Sequence, residues 1–156
     1  MQLVKAEVSA HEELASWRQN LHQNPEIAYE EKDTSDFVAA KLESFGVDVH
    51  RGFGGTGLVG VIKGNQGDPE SGKAIGLRAD MDALRIAENT GRAYASQTPG
   101  TMHACGHDGH TAMLLGAAQV LAAEGGFDGT IRFLFQPAEE WGQGAAAMLR
   151  DDVMAR

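Results

Sequence analysis

Two stretches near the amino end carry apolar residues at helical spacing, and the rest of the chain breaks into short apolar runs punctuated by glycine. Leu14, Trp17 and Leu21 follow Ser9-Ala10-His11-Glu12, which fits a capping box, and Pro25 stops the run; this predicts a helix over 10–22. Phe37, Val38, Leu42 and Phe45 share one side of a second predicted helix over 34–45, with Gly46 placed just past its end. Strands are expected at 47–50, 58–63 and 74–79, joined by Gly-rich connections at 51–57 and 64–72. An Ala/Leu-rich segment over 110–124 reads as a buried helix ending at Gly125-Gly126. The apolar run 130–135, between Gly129 and Pro137, reads as a strand. Ala145, Met148 and Leu149 have helical spacing and read as core, although Trp141 and Met148 would also suit a pocket wall.

Strand, helix, strand implies a parallel α/β sheet. The polar clusters then share an address: Asp80 and Asp82 follow one strand, Glu139 and Glu140 follow another, and a Cys/His loop precedes a helix. Carboxyl ends of strands and amino ends of helices are where ligands bind in open α/β sheets.

Composition narrows the function classes. The 156 residues suit one domain or part of one, with no repeat, low-complexity tract or compositional boundary. Asp and Glu number 22 against 13 Lys and Arg, a formal charge of −9, which disfavours nucleic acid as a partner. No apolar run approaches the roughly 20 residues of a membrane span, and the start lacks a signal-peptide pattern, so a cytoplasmic protein is expected. The single cysteine, Cys105, excludes an intrachain disulfide and stands as a candidate ligand or nucleophile.

Three of the six histidines and that cysteine fall within Met102-His103-Ala104-Cys105-Gly106-His107-Asp108-Gly109-His110. If the loop is extended, His103, Cys105 and His107 point one way, and two or three of them reach one metal ion. Thiolate with imidazole favours zinc, cobalt, nickel or manganese over magnesium or calcium, manganese being the most oxygen-seeking of the four. The plainer alternative is a loop whose histidines cap the following helix. Glu139-Glu140 suits a ligand beside a proton acceptor, since a divalent ion lowers the pKa of its water to about 7; a solvated helix start is the alternative. Asp80 and Asp82 either orient ligands or pair with Arg78 or Arg85. His11 and His50 read as surface residues and His22 as a helix-end cap. The glycines of 52–57 lack the Lys-Ser/Thr of a phosphate loop.

Leu77-Arg78-Ala79-Asp80-Met81-Asp82-Ala83-Leu84, then the Cys/His segment, then Phe135-Gln136-Pro137-Ala138-Glu139-Glu140 resemble, in order and spacing, the M20 metallopeptidases of the aminoacylase, hippurate hydrolase and auxin-conjugate hydrolase branch. Leu21-His22-Gln23-Asn24-Pro25-Glu26 and Thr56-Gly57-Leu58-Val59-Gly60 extend the resemblance over essentially the whole chain. It implies a three-layer α/β/α zinc-peptidase-like domain, of which residues 1–156 are the amino-terminal portion, without the lid or dimerisation domain and the carboxy-terminal part. It also implies a two-metal amidohydrolase acting on N-acyl amino acids or similar peptide-like conjugates. By the same resemblance Cys105 is the thiolate ligand that bridges both ions, His107 and Glu140 are further ligands, and Glu139 is the general base. Asp80, Asp82, His103, Asp108 and His110 support the site from behind. Arg85 stands where that branch usually has proline. The chain alone is expected to be inactive or weakly active, and a homo-oligomer is a possible assembly. The alternative is a non-catalytic metal-binding or partner-binding fragment.

Overall fold

The structure is a computed structural model that describes residues 2–67 and 72–155. Two helices, α1 (Gln2–Gln23) and α2 (Lys32–Ser44), precede strands β1 (Asp48–Phe53), β2 (Gly57–Lys63) and β3 (Ala74–Asp80). Then come α3 (His107–Glu124), β4 (Thr130–Gln136), the short helix α4 (Gly144–Arg150) and a 3-10 turn at Val153–Ala155. Helix α1 starts well before the expected position. Residues 2–8 contain neither Gly nor Pro to interrupt a helix, so the capping-box pattern at Ser9–Glu12 lies inside continuous helical backbone.

The four strands lie in the order β1-β2-β4-β3. The parallel expectation holds only for β3 and β4, which α3 connects. Strands β1 and β2 form an antiparallel hairpin, and β2 runs antiparallel to β4. The Gly-rich stretch at 52–57 is the turn of that hairpin, too short to permit a crossover.

Alternation along the strands sorts the two faces of the sheet. Leu58 and Ile62 of β2, Ile131, Phe133 and Phe135 of β4, and Ala79 of β3 point at Trp17 of α1, Val38 and Leu42 of α2, and Leu115 and Ala118 of α3. Phe133 and Phe135 are fully buried, and truncating either to Ala should cost about 3–5 kcal/mol. Gly60, central in β2, lets α2 sit close: a Cβ there would lie 2.9 Å from Val47 Cγ1 and 3.1 Å from Leu42 Cδ1. On the opposite face Phe53 and Val59 pack under Met148 of α4 and Val153. The result is three layers, with one of them thin. Of the expected carboxy-terminal core residues only Met148 is buried; Ala145 and Leu149 are exposed, because Ala147 and Met148 are the positions that face the sheet. Among the described residues no helix is long and apolar enough to cross a membrane.

Candidate metal centre

The parallel pair β3 and β4 ends with both carboxyl termini side by side. Asp80 is opposite Gln136 in the register, and Met81 N–H continues the ladder to the Gln136 carbonyl at 3.0 Å. The next residue, Asp82, is fully buried. Its Oδ1 accepts the backbone N–H of Glu139 and its Oδ2 that of Glu140, both at 3.0 Å. Burial alone would push the Asp82 carboxyl up. The hydrogen bond with His107 and the two backbone donors outweigh burial and hold it below the usual carboxylate range. Asp82 thus stays charged and clamps the loop that bears both glutamates.

That loop is held a second time. Ala138 sits at φ 48°, a left-handed conformation costly for a residue with a Cβ, and its N–H donates to Glu31 Oε1 at 2.8 Å. Thr56 Oγ1 donates to Glu31 Oε2 at 2.7 Å. Glu31 is completely buried, and burial raises its pKa further than these hydrogen bonds lower it. Sequence reasoning missed Glu31: between Glu30 and Lys32 it reads as one more solvated charge at a helix start, and only the fold reveals its burial.

On the facing side, the Cys/His segment is a tight turn rather than an extended loop. Gly106 N–H reaches back to the His103 carbonyl at 3.4 Å, and Gly106, at φ 90°, caps α3 in a left-handed conformation. The chain reverses there, so His103 does not share a face with Cys105 and His107. It turns instead toward His22, with ring centroids 6.4 Å apart. His103 is buried, neither of its ring nitrogens has a hydrogen-bond partner among the described residues, and burial drives its pKa down to about 4.

Helix α3 begins at His107, three residues earlier than expected, which puts His107, His110 and Thr111 on one helical face above Asp80. Thr111 Oγ1 donates to the Asp80 carbonyl at 2.9 Å, and His110 Nδ1 lies 2.7 Å from Asp80 Oδ1. Arg78, not Arg85, pairs with Asp80, with 2.7 Å from Nη1 to Oδ2. His107 Nδ1 lies 2.9 Å from the Asp82 carbonyl oxygen. Its Nε2 is therefore the nitrogen left facing the acids: 3.5 Å from Asp80, 3.7 Å from Glu139 and 3.8 Å from Glu140. Burial opposes a proton on His107, but Asp82, Cys105 and Asp80 overcome it and raise the pKa to about 11.

Cys105, His107 and Glu140 each bring one donor atom to within 4.8 Å of the others. Sulfur, nitrogen and oxygen donors at this spacing suit a borderline divalent ion, and Glu139 stands beside them on the same loop. Asp108 is not among the donors of this cluster and pairs instead with residues of α1. Its Oδ2 lies 2.8 Å from His22 Nδ1 and accepts from Arg18 Nε at 3.1 Å. His22 is accordingly no surface cap. It is buried, with its other nitrogen 3.3 Å from Glu88 Oε1. His11 is exposed and His50 half-buried, its Nε2 3.1 Å from Asp48.

Sulfur, imidazole and carboxylate donors thus gather beside the carboxyl ends of two parallel strands, where ligands bind in open α/β sheets. The family model of Peptidase family M20/M25/M40 matches residues 76–156, and the chain belongs to that family. It is 44% identical over its whole length to a hippurate hydrolase from Campylobacter jejuni, covering 39% of that protein. It is 43% identical over 145 residues to an N-acyl-L-amino acid amidohydrolase from Geobacillus stearothermophilus, covering 91% of this chain and 38% of the relative. Among solved structures, the Bacillus subtilis YXEP protein, a dinuclear metal binding peptidase from the M20 family, superposes with a TM-score of 0.87 at 39% identity, covering 94% of this chain and 40% of that one. The chain spans about two fifths of the length of these relatives.

Proposed function

We propose that this chain is the amino-terminal portion of the catalytic domain of an amidohydrolase that cleaves N-acyl amino acids or similar small conjugates, with divalent ions at the Cys105, His107 and Glu140 cluster. The convergence of those three donors beside Glu139 carries the reading. Relatives named for hippurate and for N-acyl-L-amino acids support the substrate class.

A bound divalent ion supplies Lewis-acid polarisation of the amide carbonyl and acidifies water. The protein's own groups do the rest. Glu139 is the general base, taking a proton from the attacking water and returning it to the departing amine. Asp82 fixes that carboxylate by holding its backbone N–H, so base and ligand keep their relative positions. Asp82 also orients His107 through its carbonyl oxygen, which leaves Nε2 free as a ligand. Cys105 would hold a divalent ion together with His107 and Glu140, and a second ion would need donors beyond these three. Sulfur and nitrogen donors favour zinc, cobalt or nickel over manganese.

Glu139→Gln in the metal-loaded whole protein, of which this chain is proposed to be a portion, tests this reading. Hydrolysis of an N-acyl amino acid should fall by about 100-fold or more while bound metal is unchanged. Unchanged turnover would refute the role given to Glu139.

A further inference from the structure

We propose a second seat for a divalent cation, formed by Asp80, His107 and His110, with His107 as a pivot shared with the Cys105 and Glu140 cluster. One donor atom from each of the three lies within 4.8 Å of the other two. The His107 and His110 rings are 5.5 Å apart, centroid to centroid, and inclined by 33°. Asp80 Oδ1 is 3.5 Å from His107 Nε2, close to the donor separation of a tetrahedral ion whose bonds are each about 2.0–2.1 Å. The 2.7 Å contact between Asp80 Oδ1 and His110 Nδ1 is a hydrogen bond that an ion replaces with two ligand bonds.

The groups behind this seat are arranged to support it. Arg78 occupies Asp80 Oδ2, so Oδ1 is left to ligate singly, and Arg78 is itself fixed by a 2.9 Å hydrogen bond to Gln136. Thr111 holds the Asp80 backbone from the same helix that bears both imidazoles. Asp80 and His107 are buried, whereas the His110 side chain is half exposed, which leaves a side open for an ion to enter.

The two seats are alternatives. His107 Nδ1 is committed to the Asp82 carbonyl, so only Nε2 is available, and one nitrogen ligates one ion. Two imidazoles and a carboxylate suit zinc, cobalt or nickel without a thiolate, so an ion denied Cys105 moves to Asp80 and His110 by a swing about His107 rather than leaving the protein. This inference needs His107 to be a ligand but does not require that the chain hydrolyse amides.

Cobalt(II) binding, followed by absorption spectroscopy and calorimetry, distinguishes the two seats. Wild-type protein should show a thiolate-to-cobalt charge-transfer band. Cys105→Ser should lose that band, keep one cobalt per chain and retain affinity within about 100-fold. Adding His110→Ala to that variant should remove the remaining binding, and circular dichroism and melting would show that each variant folds. His110→Ala alone should keep the thiolate band. Loss of all cobalt binding in folded Cys105→Ser protein would overturn the second seat, as would cobalt binding by Cys105→Ser protein that the added His110→Ala leaves unaffected. A wild-type protein that binds cobalt with no thiolate band would instead remove Cys105 from the proposed hydrolytic centre, a separate failure.

Discussion

Asp82 grips Glu140 across 58 positions of sequence: the buried carboxylate accepts the backbone N–H of Glu140 at 3.0 Å, and its second oxygen accepts that of Glu139. One side chain thereby ties the end of β3 to the loop after β4 and sets where both glutamate side chains start. Asp82→Ala would orphan two backbone donors and remove the carboxylate facing His107, so folding stability should fall by about 3 kcal/mol. Divalent-ion affinity should drop by about 10- to 100-fold, measured by calorimetry on protein that remains folded. An affinity unchanged in the variant would show that Asp82 serves stability alone.

Protons and metal compete for His107. With its pKa raised from 6.5 to about 11, metal-free His107 is protonated at neutral pH, and an ion must displace that proton from Nε2. Affinity should therefore climb by about tenfold or more per pH unit through the neutral range. Stability of the metal-free protein should move the other way. A folded-state pKa above the unfolded value gives a contribution that is complete below 6.5 and is lost as pH rises through about 11. Chemical denaturation of chelated and metal-loaded samples across this window checks both signs; parallel trends would be inconsistent with ligation by His107.

The sequence signals that anticipated which side chains come together were dense and local. Three imidazoles and a thiol in nine residues, and a pair of acids directly after an apolar strand, marked the two halves of the cluster, and the order of strands and helices marked where they meet. What failed depended on contacts between distant segments. The hairpin of β1 and β2 turned an expected parallel sheet into a mixed one. The left-handed Gly106 turned His103 away from its neighbours, although alternation in an extended loop would have grouped them. Glu31 and His22 look like ordinary polar residues beside a helix end, and their burial depends on residues 107 and 86 positions away, Ala138 and Asp108 respectively.

His22 positions the start of α3 from behind. Its Nδ1 lies 2.8 Å from Asp108, the neighbour of His107, and both side chains are nearly inaccessible. His22→Ala would leave the Asp108 carboxylate to Arg18 alone, and stability should fall by about 3 kcal/mol. A looser first turn of α3 should also weaken metal binding, whereas His22→Asn, which keeps a donor, should recover part of the loss. Equal metal affinity in wild type and His22→Ala would confine His22 to a role in folding.

Glu31 poses the opposite problem, a buried carboxylate kept where a neutral group would fold better. Its pKa in the folded protein is raised from 4.5 by burial, so the folded state favours the proton. The resulting contribution to stability is complete below pH 4.5 and is lost as pH rises through the raised value. Glu31→Gln removes the charge while its carbonyl still accepts from Ala138 N–H and its amide donates to a reversed Thr56 hydroxyl. The variant should gain on the wild type as pH rises above 4.5 and lose that advantage as pH falls back to 4.5, with no further change below it, readable from denaturation midpoints at each pH. A variant less stable by the same amount at every pH would show that hydrogen-bond shape, not charge, sets the energetics there. If the expected trend holds, Glu31 is kept for the loop rather than for stability: it accepts the N–H of Ala138, whose left-handed φ of 48° leads the chain into Glu139 and Glu140.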